Sequence, residues 1–568
     1  MIDPKSRIIS SLSFIPVSKS EMHALGWDQP DIILISGDAY VDHPAFGTAI
    51  IARVLQAHGF RIGIIDMPDW RDPGSIARLG KPRLFFAISS GNVDSMIARY
   101  TAFKRFRSDD PYVPGGKAGK KPDRAVLVYC NLVKQMYNDV PLVLGGIEAS
   151  MRRMPHYDFW DDRVRRSILL DARADSLVYG MGEKAIVELA HRFNHNQSIG
   201  DIPGTVCIHN LQPDEGIELP PEEDILKERD SFLRLYRLFY KNQDKTLCMS
   251  LNSRWWVQNP PVFVSEKELD EIYELPFRRE PHPSYKEPIP AFEMIKHSIT
   301  AHRGCMSGCS FCSLSLHQGK RITSRSKASV LREVAKITNL KEFKGHISDI
   351  GGPSANMYGA KCLNPDVCHR ISCIYPSRCR HLETNSTSWL DLLDLAQNVP
   401  GVKRVTVGSG LRYDLLMEEP DSRNLLKRLL TRHISGQLKI APEHTSKRVL
   451  TAMRKKPLVP LQAFVKMFRE LTKELGKEQY PLPYLMSCHP GSDDRDMHEM
   501  KKEILKGFGF VPHQVQAFIP LPMTLSSVIY FTGKDPITQK EYIVKRDAKA
   551  RRRQHQIFFN RGKRKRKK

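Results

Sequence analysis

Nowhere does this chain run for about eighteen uninterrupted apolar residues, so no membrane-spanning helix is expected. The opening residues, "MIDPKSRIISSLSFIPVSKSEM", lack the apolar core and small-residue cleavage site of a secretory signal. A cytoplasmic location is therefore the expectation. An even cysteine count is missing too. Eleven cysteines in 568 residues suit metal ligands and buried thiols better than a disulfide framework. Acidic residues are in deficit, 63 Asp and Glu against 87 Lys and Arg, for a net charge of +24. Half of that excess lies from Lys545 onward, where thirteen Lys and Arg stand against one Asp. Such a run reads first as a solvated end. Its functional alternative is weak, salt-sensitive RNA contact through counterion release.

What is present is rhythm. The first third alternates apolar runs with helical stretches: "DIILISG" from Asp31, "RIGIID" from Arg61, "RLFFAISS" from Arg83, "PLVLGG" from Pro141 and "DSLVYG" from Asp175. Runs buried on both faces, separated by amphipathic segments, predict a doubly wound parallel sheet over residues 1–205. Ligands of such sheets sit at the carboxyl ends of the strands. From 206 to 290 proline clusters interrupt the pattern, and a connecting segment is expected. The rhythm returns in residues 291–535 with "HSITAH", "HISDIGG", "RVTVGSG", "QLKIAPEH", "YLMSCHPG" and "VQAFIPLP". Six strand-helix units suit a partial (β/α)6 barrel. Residues 536–568 are left as a basic tail.

The chemistry sits directly after the first barrel strand. "HRGCMSGCSFCSL" sets Cys305, Cys309 and Cys312 in a C-x3-C-x2-C pattern. Thiolates are the usual ligands of iron–sulfur clusters and zinc. Three ligands on a four-iron cubane leave one iron for a small molecule. A zinc knuckle with a distant fourth ligand is the bland alternative. A second group, Cys362, Cys368, Cys373 and Cys379, follows in "CLNPDVCHRISCIYPSRCRH". It offers enough thiols for a closed iron–sulfur cluster or a zinc ion, with free thiols or a redox disulfide as the other readings.

With its aromatic Phe311, the three-cysteine motif resembles that of the radical S-adenosylmethionine (SAM) superfamily. The resemblance implies a [4Fe–4S] cluster on Cys305, Cys309 and Cys312. It also implies reductive cleavage of SAM to a 5′-deoxyadenosyl radical that abstracts hydrogen from a substrate, here unknown. Gly351 and Gly352 match two residues of the superfamily's Gly-Gly-Glu motif, and Pro353 replaces its Glu. Phe311, Ser409, Arg412 and Glu443 are the further cofactor-binding candidates.

"GDAYVDHPAFG", "GGIEASMRRMPHYDFWDDRVRRSIL", "YGMGE", "CSFCSLSLHQGKRITSRS" and "GGPSANMYGAKC" are similar to signatures of the YgiQ family of radical SAM proteins across nearly the whole chain. That likeness implies an N-terminal Rossmann-like domain of the cobalamin-binding type. The cobalamin motif D-x-H-x-x-G is not met, because Asp42 adjoins His43 and three residues precede Gly47. Cobalamin is therefore disfavoured, and Glu148 with Arg152, Arg153, His156, Asp158, Asp161, Arg163 and Arg165 reads either as the lining of a polar substrate cleft or as a surface of paired charges. The class also implies an electron donor of the flavodoxin or ferredoxin type. Two alternatives remain: a methyl- or methylthio-transferase acting on RNA or protein, and a non-catalytic iron–sulfur redox sensor that binds nucleic acid.

Overall fold

The computed structural model describes residues 13–365, 368–455 and 461–559. It divides into two compact units, Met1–Lys296 with Leu316–Gln318, and His297–Ser315 with Gly319–Lys568.

The first unit is built on nine strands: β1 Ile32–Ser36, β2 Ile62–Asp66, β3 Phe85–Ser89, β4 Leu142–Leu144, β5 Ser176–Val178, β6 Thr205–His209, β7 Ile217–Glu218, β8 Leu247–Leu251 and β9 Arg254–Gln258. Their order is β7-β8-β9-β6-β5-β4-β3-β1-β2. The stretch β2-β1-β3-β4-β5 is parallel throughout. This is the doubly wound order with its switch point between β1 and β3. Ile32, Ile33, Leu34 and Ile35 are all buried, as a strand covered on both faces requires. Between β1 and β2 the predicted helix runs Gly47–Ala57, and it ends before Gly59, which takes φ +88°.

The segment 206–290, expected to connect, instead extends this sheet. β9 pairs antiparallel with both β6 and β8, and β6 pairs antiparallel with β5. The β8–β9 hairpin turns through Asn252, whose φ is +65°. Asn tolerates that conformation better than most residues. Trp256, wholly buried, anchors the strand that follows.

The second unit carries six parallel strands in chain order: β10 Ser298–Thr300, β11 in two pieces (His346–Ile347 and Asp349–Gly351), β12 Arg404–Val405, β13 Gln437–Glu443, β14 Tyr480–Ser487 and β15 Val515–Ala517. β10 pairs with β11, β11 with β12, β13 with β14 and β14 with β15. A parallel bridge between Leu411 and Ile440 joins the two groups. The six predicted strands are thus the barrel staves. The helix Leu461–Glu474 turns Phe464, Val465, Phe468 and Leu471 inward, as its sequence periodicity predicts. Helix Asp494–Phe508 starts on a capping box between Asp493 and Asp496 and ends at Gly509 in the left-handed region.

The basic tail expected from 536 is shorter than its charge suggests. Ala548–Phe559 is a helix whose Ile557 and Phe558 join the barrel core. Burying two such side chains stabilises by about 1.5–3 kcal/mol each. Arg551 is buried and donates to the Phe518 carbonyl, and Gln554 donates to Ser492 Oγ at 2.8 Å. The remainder of the tail, 560–568, lies outside the described residues. Among the described residues no helix is long and apolar enough to cross a membrane.

Candidate metal centre

After β10 the chain pairs His302–Arg303 antiparallel with Thr323–Ser324, so the cysteine loop is closed at its neck. Cys305 N donates to Gly319 O at 3.0 Å, and Cys312 N to Cys309 O at 3.2 Å. Gly304, at φ +90°, passes so near the opposite strand that an added Cβ would lie 1.9 Å from Arg321 O. Ser310 fixes the far side. Its Oγ donates to Ala452 O at 2.7 Å and accepts from Ser526 Oγ at 2.8 Å. Ser526 in turn meets His489 Nε2 at 2.7 Å.

Cys305 is buried, and Cys309 and Cys312 are half-buried. Burial pushes the Cys309 thiol up, while Lys455 and Arg412 pull it down. Burial also raises Cys312, and the charges of Cys309 and Cys305 add to that rise. The three thiols are therefore within electrostatic reach of one another, in a setting where ionisation needs a cation close by. A bound metal would supply that charge and release the protons. Among the described residues no three His, Cys, Asp or Glu side chains are placed to hold a single ion. Three thiols on one short loop, with Arg412 and Lys455 beside them, are a donor set that a [4Fe–4S] cluster would fit.

The other predicted residues surround this loop. Arg412 is buried, with Nη1 donating to Ser307 Oγ at 2.6 Å and Nε to Asp414 at 2.8 Å. Against the cost of burial, Asp414 and the thiols of Cys309 and Cys305 hold its guanidinium charged. Glu443 closes β13 at φ +65°. Burial raises its carboxyl, and Lys455, 3.7 Å away, is the largest opposing influence. Ser409 donates to Asp349, whose carboxylate also accepts from Gly408 N at 2.9 Å and Ser409 N at 3.2 Å. Its hydroxyl thus holds the turn after β12. Gly351 O accepts from Ala301 N at 2.7 Å. Phe311 packs on Val449, Leu450 and Met453 and meets His489 edge-on at 6.1 Å.

Several residues at this site carried no signal in the sequence. Lys455 stands in a plain basic run, and only the fold brings it to Cys309 and Glu443. Asn356 Oδ1 accepts from Arg412 N at 2.9 Å, locking the loops after β11 and β12 together. His302 is wholly buried, and an added Cβ on Gly352 would lie 2.6 Å from its Nε2. Burial lowers its pKa to about 4, against a backbone hydrogen bond at Ser354.

The second cysteine group lies beside the first. Cys305, Met306, Met357, Cys373, Ile374 and Leu415 share one apolar cluster. Burial pushes the Cys373 thiol up to about 11, with Lys320 opposing and Cys368, Cys362 and Cys379 adding to the rise.

In the first unit the polar run does not line a cleft in the way one of its two readings requires. Glu148 is buried and accepts from Ser95 N at 2.8 Å and Val126 N at 3.1 Å. Arg152 pairs with Asp94, and Asp158 pairs with Arg124 at 2.9 Å and Arg165 at 3.3 Å. Arg153, also buried, donates to Gln258 Oε1 at 2.8 Å and lies over Tyr179. Arg163, at the rim, is exposed. Most of this run is spent on internal pairs. At the β1/β3 switch point Asp38 accepts from Asn92 N at 2.6 Å and pairs with buried Lys121 at 2.6 Å, which also meets Asp110 at 3.1 Å. His43 is 1% exposed, its ring edge-on to Phe46 and Phe292.

The family model described as "Radical SAM N-terminal" matches residues 14–298, ending where the first barrel strand begins. A UPF0313 protein of Methanocella arvoryzae is 47% identical over 94% of this chain and 91% of the relative. One of Geobacter sulfurreducens is 47% identical over 96% and 92%, and one of Thermotoga neapolitana 44% identical over 97% and 100%. Among solved structures, the radical SAM methyltransferase TsrM of Kitasatospora setae, with cobalamin and a [4Fe–4S] cluster bound, matches at TM-score 0.52 and 13% identity. The match covers 88% of this chain and 74% of that one. The same protein with its tryptophan substrate and a SAM analog bound matches at TM-score 0.51 and 14% identity, over 87% and 75%. These likenesses establish the fold, and they give the expectation against cobalamin no support.

Proposed function

The chain belongs to the UPF0313 (YgiQ) family of radical SAM enzymes, and from that premise we propose that Cys305, Cys309 and Cys312 hold a [4Fe–4S] cluster whose open iron binds SAM. The observation that carries this is the three-thiol loop at the carboxyl end of β10, with Arg412 and Lys455 set against it. When bound, such a cluster supplies the electron that cleaves SAM to methionine and a 5′-deoxyadenosyl radical, and the cofactor rather than the protein does that chemistry. The chain's part is to hold and shield. Arg412, fixed by Asp414 and Asn356, offsets the negative charge of the thiolates. Lys455 and Glu443 form a half-buried pair suited to the carboxylate and amino groups of the SAM methionine. Gly351 O is engaged with Ala301, so Gly352 is the better backbone acceptor for that amino group. The turn held by Ser409 and Asp349 and the ring of Phe311 complete the cofactor-binding set.

Hydrogen abstraction from a substrate, fed by a donor of the flavodoxin or ferredoxin type, is the reaction class this reading assigns. Adding SAM to the anaerobically reconstituted, reduced protein is expected to change the cluster's EPR signal. A signal indifferent to SAM, with RNA affinity that follows redox state, would favour the non-catalytic sensor instead.

A second reading is methyl transfer with cobalamin held by the first unit. The TsrM fold likeness favours it, and the Asp38–Lys121–Asp110 pairs at the β1/β3 switch point and the buried His43 oppose it. Titration with hydroxocobalamin separates the two. A stoichiometric complex supports the second reading, and free cobalamin after gel filtration supports the first.

A further inference from the structure

The four remaining clustered cysteines form a site of their own. Lys361–Cys362 pairs antiparallel with Leu382–Glu383, and Leu363 N donates to His381 O at 2.9 Å, so the ends of the inserted loop are fastened together. Within it, Cys379 N donates to Cys373 O at 2.7 Å and Leu382 N to Cys379 O at 3.1 Å. Arg370 gathers the carbonyls of Ser372, at 3.0 Å, and Tyr375, at 3.2 Å. Lys320 Nζ donates to Cys368 Sγ at 3.4 Å and to Arg370 O at 2.5 Å. All four cysteines are free thiols, none paired as a disulfide.

This loop is docked on the first cysteine loop. Cys373 N donates to Met306 O at 3.0 Å, and Ser372 Oγ to Ser307 O at 2.5 Å. The approach is so close that a Cβ on Gly308, at φ +58°, would lie 2.5 Å from Ile371 O. Cys305 and Cys373 share one apolar cluster.

We propose that Cys362, Cys368, Cys373 and Cys379 hold a second iron–sulfur cluster, seated directly against the loop that carries the first. Four thiolates are the complete ligand set of a [2Fe–2S] or [4Fe–4S] cluster, so this one is closed where the other is open. The Lys320 ammonium and the Arg370 guanidinium are charges that an anionic thiolate cluster calls for. The inference rests on assigning Cys305, Cys309 and Cys312 to the first cluster, and the test keeps the two assignments apart.

Full-length protein is reconstituted anaerobically with iron and sulfide as wild type, as C305A/C309A/C312A and as C362A/C368A/C373A/C379A. Iron, acid-labile sulfide, zinc and Mössbauer spectra are measured for each. The wild type should bind about six to eight irons, the triple variant about two to four, and the quadruple variant about four. About four irons in the wild type, all lost in the triple variant, would overturn the second cluster and leave the first standing. Iron retained by the triple variant and absent from the quadruple one, with about four in the wild type, would overturn the first. Stoichiometric zinc in the triple variant would overturn the cluster's identity. If the quadruple variant fails to fold, the wild-type count decides independently: about six or more irons with matching sulfide require a second cluster, and about four exclude it.

Discussion

Replacing Cys309 with alanine is expected to remove the open-iron cluster and to reduce 5′-deoxyadenosine formation below detection, with the fold retained. Partners one shell away from a metal typically cost about 10–100-fold when lost. Losing one of only three protein ligands costs more, because the site then has no means to keep the cluster on the loop. Folding should survive, since Cys309 is half-buried and the loop is held by Gly319 O, Ala452 O and Ser526 rather than by its thiol. Iron analysis and circular dichroism on the same sample check both halves. A Cys309→Ala protein that still forms 5′-deoxyadenosine at the wild-type rate would remove the motif from the mechanism.

Gly304→Ala should disable the same centre without touching a ligand. The residue takes φ +90°, and its new Cβ would meet Arg321 O at 1.9 Å. The backbone strain alone costs about 1–3 kcal/mol, and relieving the overlap forces apart the pairing of His302–Arg303 with Thr323–Ser324. For a unit of this size each kcal/mol lowers Tm by about 2–4 °C. The expected result is a Tm several degrees lower and iron content well under that of the wild type. Gly507→Ala serves as the control. It lies inside the helix Asp494–Phe508 with nothing within 4 Å of an added Cβ, so the change should be neutral or stabilise by up to about 1 kcal/mol. Full iron loading in Gly304→Ala would show that the neck of the loop does not position the thiols.

Most of the barrel was legible in the sequence because each strand is short, buried and followed by chemistry-bearing turn residues. The three cysteines announced themselves by spacing. The β8–β9 hairpin is hard to read in the sequence because "TLCMSLNSRWWVQ" mixes polar and apolar residues, and only Asn252 at the turn marks it. The helix Ala548–Phe559 was hidden by charge: its inward face is Arg551, Gln554, Ile557 and Phe558, and half of that face is polar. The sequence cannot tell whether Glu148 and Arg152 line a cleft or pair internally, because buried ion pairs and exposed ones have the same composition. Lys455 and His302 could not be found at all, since what places them is packing between elements far apart in the chain.

The central claim is that the open iron turns SAM into a radical. Its most direct measurement is product analysis of the anaerobically reconstituted wild-type protein incubated with SAM and dithionite. The account predicts 5′-deoxyadenosine and methionine in equal amounts, dependent on the reductant and absent from C305A/C309A/C312A. An intact cluster that yields neither product would contradict it.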